Sequence, residues 1–257
     1  MGLADLHIHS IHSWDGTSAV SAILKKASHH LKLDVIAITD HDEINGALEA
    51  LMLAPYYGIE VVPGIEISTR DGHLLGLYVT QKIPAGMSLV DTLLCIKDAG
   101  GIAIAAHPSA SGMTSLSEPV IAQALDHPLA GEVLVGIETY NASLVFMRSN
   151  REASKMADRL PVARAGNSDA HLLWLVGQGA TYFPGKTAAD LRRALVNRQT
   201  SVVRGRRKSN MVMIPHWLVR KSLRKAGMVS WNPAPWLALQ FGKVDDPLQA
   251  QLVYNTK

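Results

Sequence analysis

Short runs of aliphatic and β-branched residues alternate along the chain with longer stretches whose apolar positions recur every three or four residues. The short runs predict strands over 4–9, 35–39, 61–67, 74–79, 102–106, 133–138, 162–165 and 201–204. The stretches of helical period predict helices over 19–31, 44–57, 89–99, 118–124 and 143–160. Two helix starts carry their own caps. Ser88 stands three residues before Asp91 and Thr187 three before Asp190, while Gly100-Gly101 closes the first of these segments. Strand and helix in alternation predict an α/β fold with a parallel sheet, crossover helices and seven βα units.

The pattern changes after Val203. Arg204-Gly-Arg-Arg-Lys is followed by Trp217, Leu218 and Leu223 among Arg220, Lys221, Arg224 and Lys225. The expected organisation is therefore one main domain over 1–203 and a basic, Trp-containing extension over 204–257. Charge sharpens the division. The whole chain has a formal net charge of +3, and residues 204–257 hold ten Lys and Arg against Asp245 and Asp246, or +8, which leaves −5 on residues 1–203. Attraction to an anionic membrane surface or a protein partner is thus concentrated in the extension. With 47% hydrophobic and 18% charged residues there is material for a large core, which excludes a disordered chain. The expected location is cytoplasmic with no transmembrane segment, because no apolar run reaches about 18 residues and the N-terminus lacks a signal-peptide pattern. A single cysteine, Cys95, excludes a disulfide framework and fits a buried, inert thiol.

The chemistry is carried by histidines and carboxylates. His7-Ile-His9 lies on the first predicted strand, where residues two apart face the same way and present two imidazoles together. Ionisable residues then recur where later strands end: His41 in Thr39-Asp-His-Asp, Glu66, His107 in Ala106-His-Pro, Glu138, and Asp169-Ala-His171. In an α/β barrel the C-terminal strand ends form one rim, the face on which catalytic groups assemble. Half-buried groups of this kind need partners to offset desolvation, and a metal supplies one. Imidazoles and carboxylates without thiolates suit zinc, manganese or iron and do not choose among them.

The ordered set Asp5-Leu-His-Ile-His-Ser, Ser13-Trp-Asp15-Gly, Thr39-Asp-His41, Gly64-Ile-Glu66, Ala106-His107-Pro and Gly166-Asn-Ser-Asp169-Ala-His171 resembles the PHP (polymerase and histidinol phosphatase) family over roughly residues 1–203. The resemblance implies a distorted (β/α)7 barrel holding two or three divalent metal ions. By that likeness His7, His9, Glu66 and Asp169 would hold one ion. Glu66 would bridge to a second with His73 and His107, and a third would take Asp15, His41 and His171. Asp40, Asp42 and Glu138 are expected either behind these ligands, orienting imidazoles, or as helix caps and loop hydrogen-bond acceptors.

The implied activity is hydrolysis of a phosphate ester, a small phosphomonoester or nucleotide-type substrate, by a metal-bridging hydroxide, with Asp169 or His171 relaying the proton. Arg148, in the segment after the Glu138 strand, is the candidate phosphate contact nearest the rim by sequence; the arginine that many relatives carry after the His-Pro motif is missing from His107-Pro-Ser-Ala-Ser-Gly. The alternatives are an exonuclease acting on nucleic-acid ends and a non-enzymatic metal-binding scaffold. PHP modules also occur in DNA polymerases, whose other parts are absent here. His12, His29, His30, His127 and His216 are left outside the site.

Overall fold

The computed structural model describes residues 1–110, 114–143 and 147–205, together with 219 and 222. Most of the extension, with its basic run and tryptophans, lies outside the described residues. In chain order the elements are β1 (Gly2–Asp5), α1 (Val20–Lys25, prolonged by a π-helical turn at Lys26–Leu31), β2 (Val35–Ile38), α2 (Asn45–Tyr57), β3 (Glu60–Ser68), β4 (His73–Leu77), α3 (Leu89–Asp98) and β5 (Ile102–Ala105). They continue with α4 (Glu118–Asp126), β6 (Leu134–Asn141), α5 (Met147–Arg159), β7 (Ala163–Asn167), β8 (Gly179–Phe183), α6 (Ala188–Val196) and β9 (Ser201–Arg204). No helix among the described residues is long and apolar enough to cross a membrane.

The nine strands of the described residues join one sheet in the order β7-β6-β5-β4-β3-β2-β1-β8-β9. The sheet curls until its ends nearly meet: past β7, Ala170 bridges in parallel to Ile8, and the His9 N–H donates to the Ala170 carbonyl at 3.0 Å. β1 through β7 therefore form a distorted barrel, and β8 and β9 are added antiparallel beside β1.

The sheet departs from the all-parallel expectation at β4, which runs antiparallel to both β3 and β5. Only residues 69–72 connect β3 to β4, far fewer than a parallel crossover needs, so the two strands form a hairpin. β8 was not expected at all. Its sequence Gly-Ala-Thr-Tyr-Phe, between Gly177 and Pro184-Gly185, is nevertheless rich in strand formers and flanked by turn residues.

The expected caps form. Ser88 accepts from the Asp91 N–H, and Thr187 with Asp190 makes a complete capping box. One apolar cluster lies between sheet and helices, with Ile36, Ile38, Ile65 and Ile67 packed among Ile23, Leu24, Leu93 and Ile96. A second joins Leu6, Val62, Leu75, Ile104 and Phe183 to Leu191 and Leu195 of α6. α6 touches β3, β6, β7 and β8, strands far apart in the sheet order, and so closes one end of the barrel. Its first residue, Ala188, donates its N–H to Glu60 at the start of β3, which leaves Glu66, near the end of that strand, at the opposite, open mouth.

Candidate metal centre

All nine ligand positions expected from the sequence meet at that mouth. The Nε2 atoms of His7 and His9 stand 3.1 Å apart. Each faces Glu66 Oε2, at 3.1 and 3.3 Å, and Asp169 Oδ1, at 3.4 and 3.3 Å. On the other oxygen of Glu66, His73 Nδ1 lies at 3.0 Å and His107 Nε2 at 3.1 Å. Asp15 Oδ2 receives His171 Nε2 at 3.0 Å and His41 Nε2 at 3.4 Å, while His41 Nδ1 reaches back to Glu66 Oε2 at 3.2 Å.

His73 owes its place to strand direction. It opens β4 and pairs in register with Ser68 at the end of β3, so the antiparallel course of β4 carries a strand's first residue to the mouth. The partition into three separate sets is less sharp than the resemblance implies. His9 groups with Asp15, His41 and His171, and His41 also groups with Glu66 and His73.

These residues fit a metal on three grounds. Ligand separations of 3.0–3.4 Å are about the edge of a tetrahedron whose metal–ligand bonds are about 2.0–2.1 Å long. Glu66 Oε2 is fully buried and makes no hydrogen bond, although three imidazole nitrogens surround it. Around this oxygen the buried nitrogens thus converge on a common point without pairing off with it. The electrostatics agree. Burial disfavours charge on His7, yet the carboxylates of Asp169, Glu138 and Glu66 outweigh it and hold the imidazole well above its ordinary pKa. Burial likewise opposes charge on His171, but Asp15 and then Asp169 raise it to about 9. Against the same desolvation, neighbouring imidazolium groups hold Asp15, Glu66 and Asp169 well below the carboxylate range. In the metal-free protein protons supply the positive charge that a divalent ion would bring.

Glu138 stands behind the candidate ligands as expected. Its Oε1 accepts from His7 Nδ1 at 3.0 Å and Asn167 Nδ2 at 2.7 Å; its Oε2 accepts from the His107 N–H at 2.8 Å and Asn141 Nδ2 at 3.2 Å. Because a carboxylate only accepts, His7 keeps a proton on Nδ1 in either charge state and turns Nε2 to the cluster. Asp40 and Asp42 instead take the second of the two expected roles and hold loop and strand ends by hydrogen bonds. Asp40 accepts from the Ser10 N–H and hydroxyl at 2.6 and 2.7 Å, and Asp42 from the Ser68 N–H at 2.8 Å.

Three supporting residues had no role assigned from the sequence. Asn141 donates to Asp169 Oδ2 at 3.1 Å, and Asn167 accepts the Leu6 N–H at 2.9 Å. Asp5 accepts from the N–H groups of Ser168 and Gly177, and burial pushes its carboxyl up to about 6. Asn167 and Asp5 sit within the quoted motifs, and Asn141 follows Glu138 by three residues, so proximity to ligands was the available signal.

Local backbone geometry is specialised at the candidate ligands. Asp169 and His107 adopt positive φ, +50° and +28°. Gly16 presses so close to Ser10 that a Cβ would lie 1.8 Å from its carbonyl oxygen. The same loop is tied down where the Thr17 N–H and hydroxyl both donate to the His171 carbonyl. His12 faces Glu49 of α2 at 2.6 Å, outside the ligand groups. Arg148 lies exposed in the first turn of α5, whereas Arg164 is engaged by Ser154 and Asp158.

Comparison with known proteins yields concordant matches. Residues 5–156 match the family model described as PHP domain, and residues 147–200 match the one described as PHP-associated. An uncharacterised protein of Methanocaldococcus jannaschii is 37% identical over 149 residues, covering 54% of this chain and 81% of the relative. A 5'-3' exoribonuclease of Haemophilus influenzae is 33% identical over 104 residues, 39% of this chain and 37% of that protein. Among solved structures, a two-domain protein from Bacteroides vulgatus containing a predicted PHP-like metal-dependent phosphoesterase superposes with a TM-score of 0.64 at 19% identity. That match covers 79% of this chain and 65% of the other, and it shows a shared fold.

Proposed function

Since the chain belongs to the PHP-domain family, we propose that it is a metal-dependent phosphoesterase acting on a small phosphomonoester or nucleotide-type ester at the open mouth of its barrel. One observation carries this reading: five imidazoles, those of His7, His9, His41, His73 and His107, stand within 3.3 Å of the two oxygens of a single buried carboxylate, Glu66. A structural core has no use for so many desolvated ionisable groups around one carboxylate, whereas a multinuclear metal site needs them.

His7, His9, Glu66 and Asp169 would hold one ion, Glu66, His73 and His107 a second, and Asp15, His41 and His171 a third. Divalent ions bound there supply nucleophile activation and charge neutralisation for ester hydrolysis. The protein's own part is positional. Asn141 fixes the Asp169 carboxylate, and Glu138 fixes the His7 ring. His171 has the most exposed side chain of the nine, at 17%, and is assigned with Asp169 to move the proton between the site and the leaving oxygen. Arg148 is assigned to the phosphate.

The exoribonuclease match supports a second reading, a nuclease acting at nucleic-acid ends. Metal-loaded protein is to be assayed for phosphate release from nucleotides, sugar phosphates and histidinol phosphate, and for shortening of a labelled oligonucleotide. Phosphoester turnover that disappears in Asp169→Asn and His171→Ala is the expected result. A folded, metal-loaded protein inactive on every ester would overturn the enzymatic reading in favour of a metal-binding scaffold.

A further inference from the structure

α5 turns a polar side chain inward where the rest of that face is apolar. Ala153, Met156 and Ala157 lie buried where α5 packs on β6, and Asn150, also buried, continues the same face one turn earlier. A polar group in such a place needs partners. Asn150 gives both ends of its amide to one residue: its Oδ1 accepts the Asn141 N–H at 2.9 Å, and its Nδ2 donates to the Asn141 carbonyl at 2.8 Å. The end of β6 has room for such a clamp, because its pairing with β5 stops at Ile137 while its pairing with β7 runs on to Asn141.

The clamped residue reaches into the candidate metal centre. The side-chain oxygen of Asn141 accepts the Ser143 N–H at 2.9 Å, which leaves its NH2 to face the cluster. There Nδ2 donates to Asp169 Oδ2 at 3.1 Å and to Glu138 Oε2 at 3.2 Å, standing between two buried carboxylates that repel each other. With Oδ2 held in this way, the other oxygen of Asp169 faces the Nε2 atoms of His7 and His9 at 3.4 and 3.3 Å. Closing off the end of β6 requires only the two bonds from Asn150 to the backbone. The further bond from Asn141 to Asp169 connects α5 to a candidate ligand.

We propose that Asn150 is a positioning residue for metal binding: by fixing the backbone of Asn141 it holds the amide that presents Asp169 to its ion. The inference rests on the metal-dependent reading above and extends it to a residue that touches neither ion nor substrate. The effect of Asn150 on the ion therefore passes through Asn141. A residue that only stabilised α5 would lower the stability of the protein without singling out the ion at Asp169.

The test measures Zn2+ affinity of the full-length protein by competition with a chromophoric chelator, the ion lost in Asp169→Asn identifying the one concerned. Asn150→Ala is expected to weaken binding of that ion about tenfold, the lower end of what losing a group that orients a ligand costs. In an Asn141→Ala background the same substitution should change the affinity by no more than about twofold, because two substitutions on one path are not additive. Met156→Ala, which truncates an apolar side chain on the same face of α5, should lower Tm and leave the affinity unchanged. Equal effects of Asn150→Ala and Met156→Ala on the affinity, or additive losses in the double variant, would overturn the proposal. Should Asn150→Ala fail to fold, amide exchange in wild type decides. Because clamp and ion stabilise each other, the Asn141 N–H should exchange about tenfold more slowly once Zn2+ is bound, and a rate indifferent to Zn2+ counts against the clamp. A wild type that takes up no Zn2+, Mn2+ or Fe2+ would sink the metal reading and this proposal together; normal uptake with no effect of Asn150 would sink the proposal alone.

Discussion

Glu138→Gln is the most exacting test of how the site is held. Glu138 is fully buried and each of its oxygens accepts two hydrogen bonds, from His7 and Asn167 on one side and from the His107 N–H and Asn141 on the other. Glutamine preserves the shape but turns an NH2 toward one of these pairs. Facing the second pair, it meets a backbone N–H that cannot turn and an Asn141 amide whose oxygen is already used by the Ser143 N–H. Facing the first, it meets Asn167, whose oxygen holds Leu6, and it forces the His7 proton from Nδ1 onto Nε2, the atom aimed at the cluster.

Either way at least two buried N–H groups lack an acceptor, those of His107 and Asn141 in one orientation, those of Asn167 and of the new amide in the other, at about 1–3 kcal/mol each, or about 2–6 kcal/mol in all. For a domain of this size that is a fall in Tm of roughly 5–20 °C. Metal affinity should fall about 10- to 100-fold, the usual effect of losing a group that orients a ligand. The assay is thermal unfolding with and without chelator, together with elemental analysis of metal per chain. Glu132→Gln serves as the control, because its contact with Lys97 is exposed and a surface pair contributes at most about 1 kcal/mol. A Glu138→Gln protein with the Tm and metal content of wild type would refute the accounting of the four donors.

Two further outcomes follow from the same geometry. The folded pKa of His171, about 9, lies above its ordinary 6.5. The stability it contributes to metal-free protein is therefore complete below pH 6.5 and lost as pH rises through about 9. Chelated protein should accordingly show a Tm that declines across this window, and a flat profile would mean that the Asp15–His171 pair does not form without metal. Gly16→Ala forces a Cβ against the Ser10 carbonyl, so overpacking should cost about 1–3 kcal/mol and displace Asp15. Elemental analysis should then find less metal per chain, and undiminished metal content would show that the loop absorbs the methyl group.

Much of the site was legible along the chain because its elements are local. His7 with His9 are two residues apart, the capping pairs Ser88–Asp91 and Thr187–Asp190 span three, and each such relation is set by the two- and 3.6-residue periods of strand and helix. The six-residue gap between the predicted strands over 61–67 and 74–79 was already too short for a crossover, so the hairpin at β3–β4 was legible in principle. What tertiary structure alone decided are the relations that barrel closure makes. It brings Asn167 to Leu6 and Glu138 to His7, wraps five imidazoles around Glu66, and lets His9 and His41 fall in more than one candidate metal group. It also turns the start of β4 toward the mouth, so that His73 joins residues from strands running the other way. These contacts join residues as many as 161 positions apart. No periodicity or spacing reaches that far; the closing of the sheet by the Ile8–Ala170 bridge does.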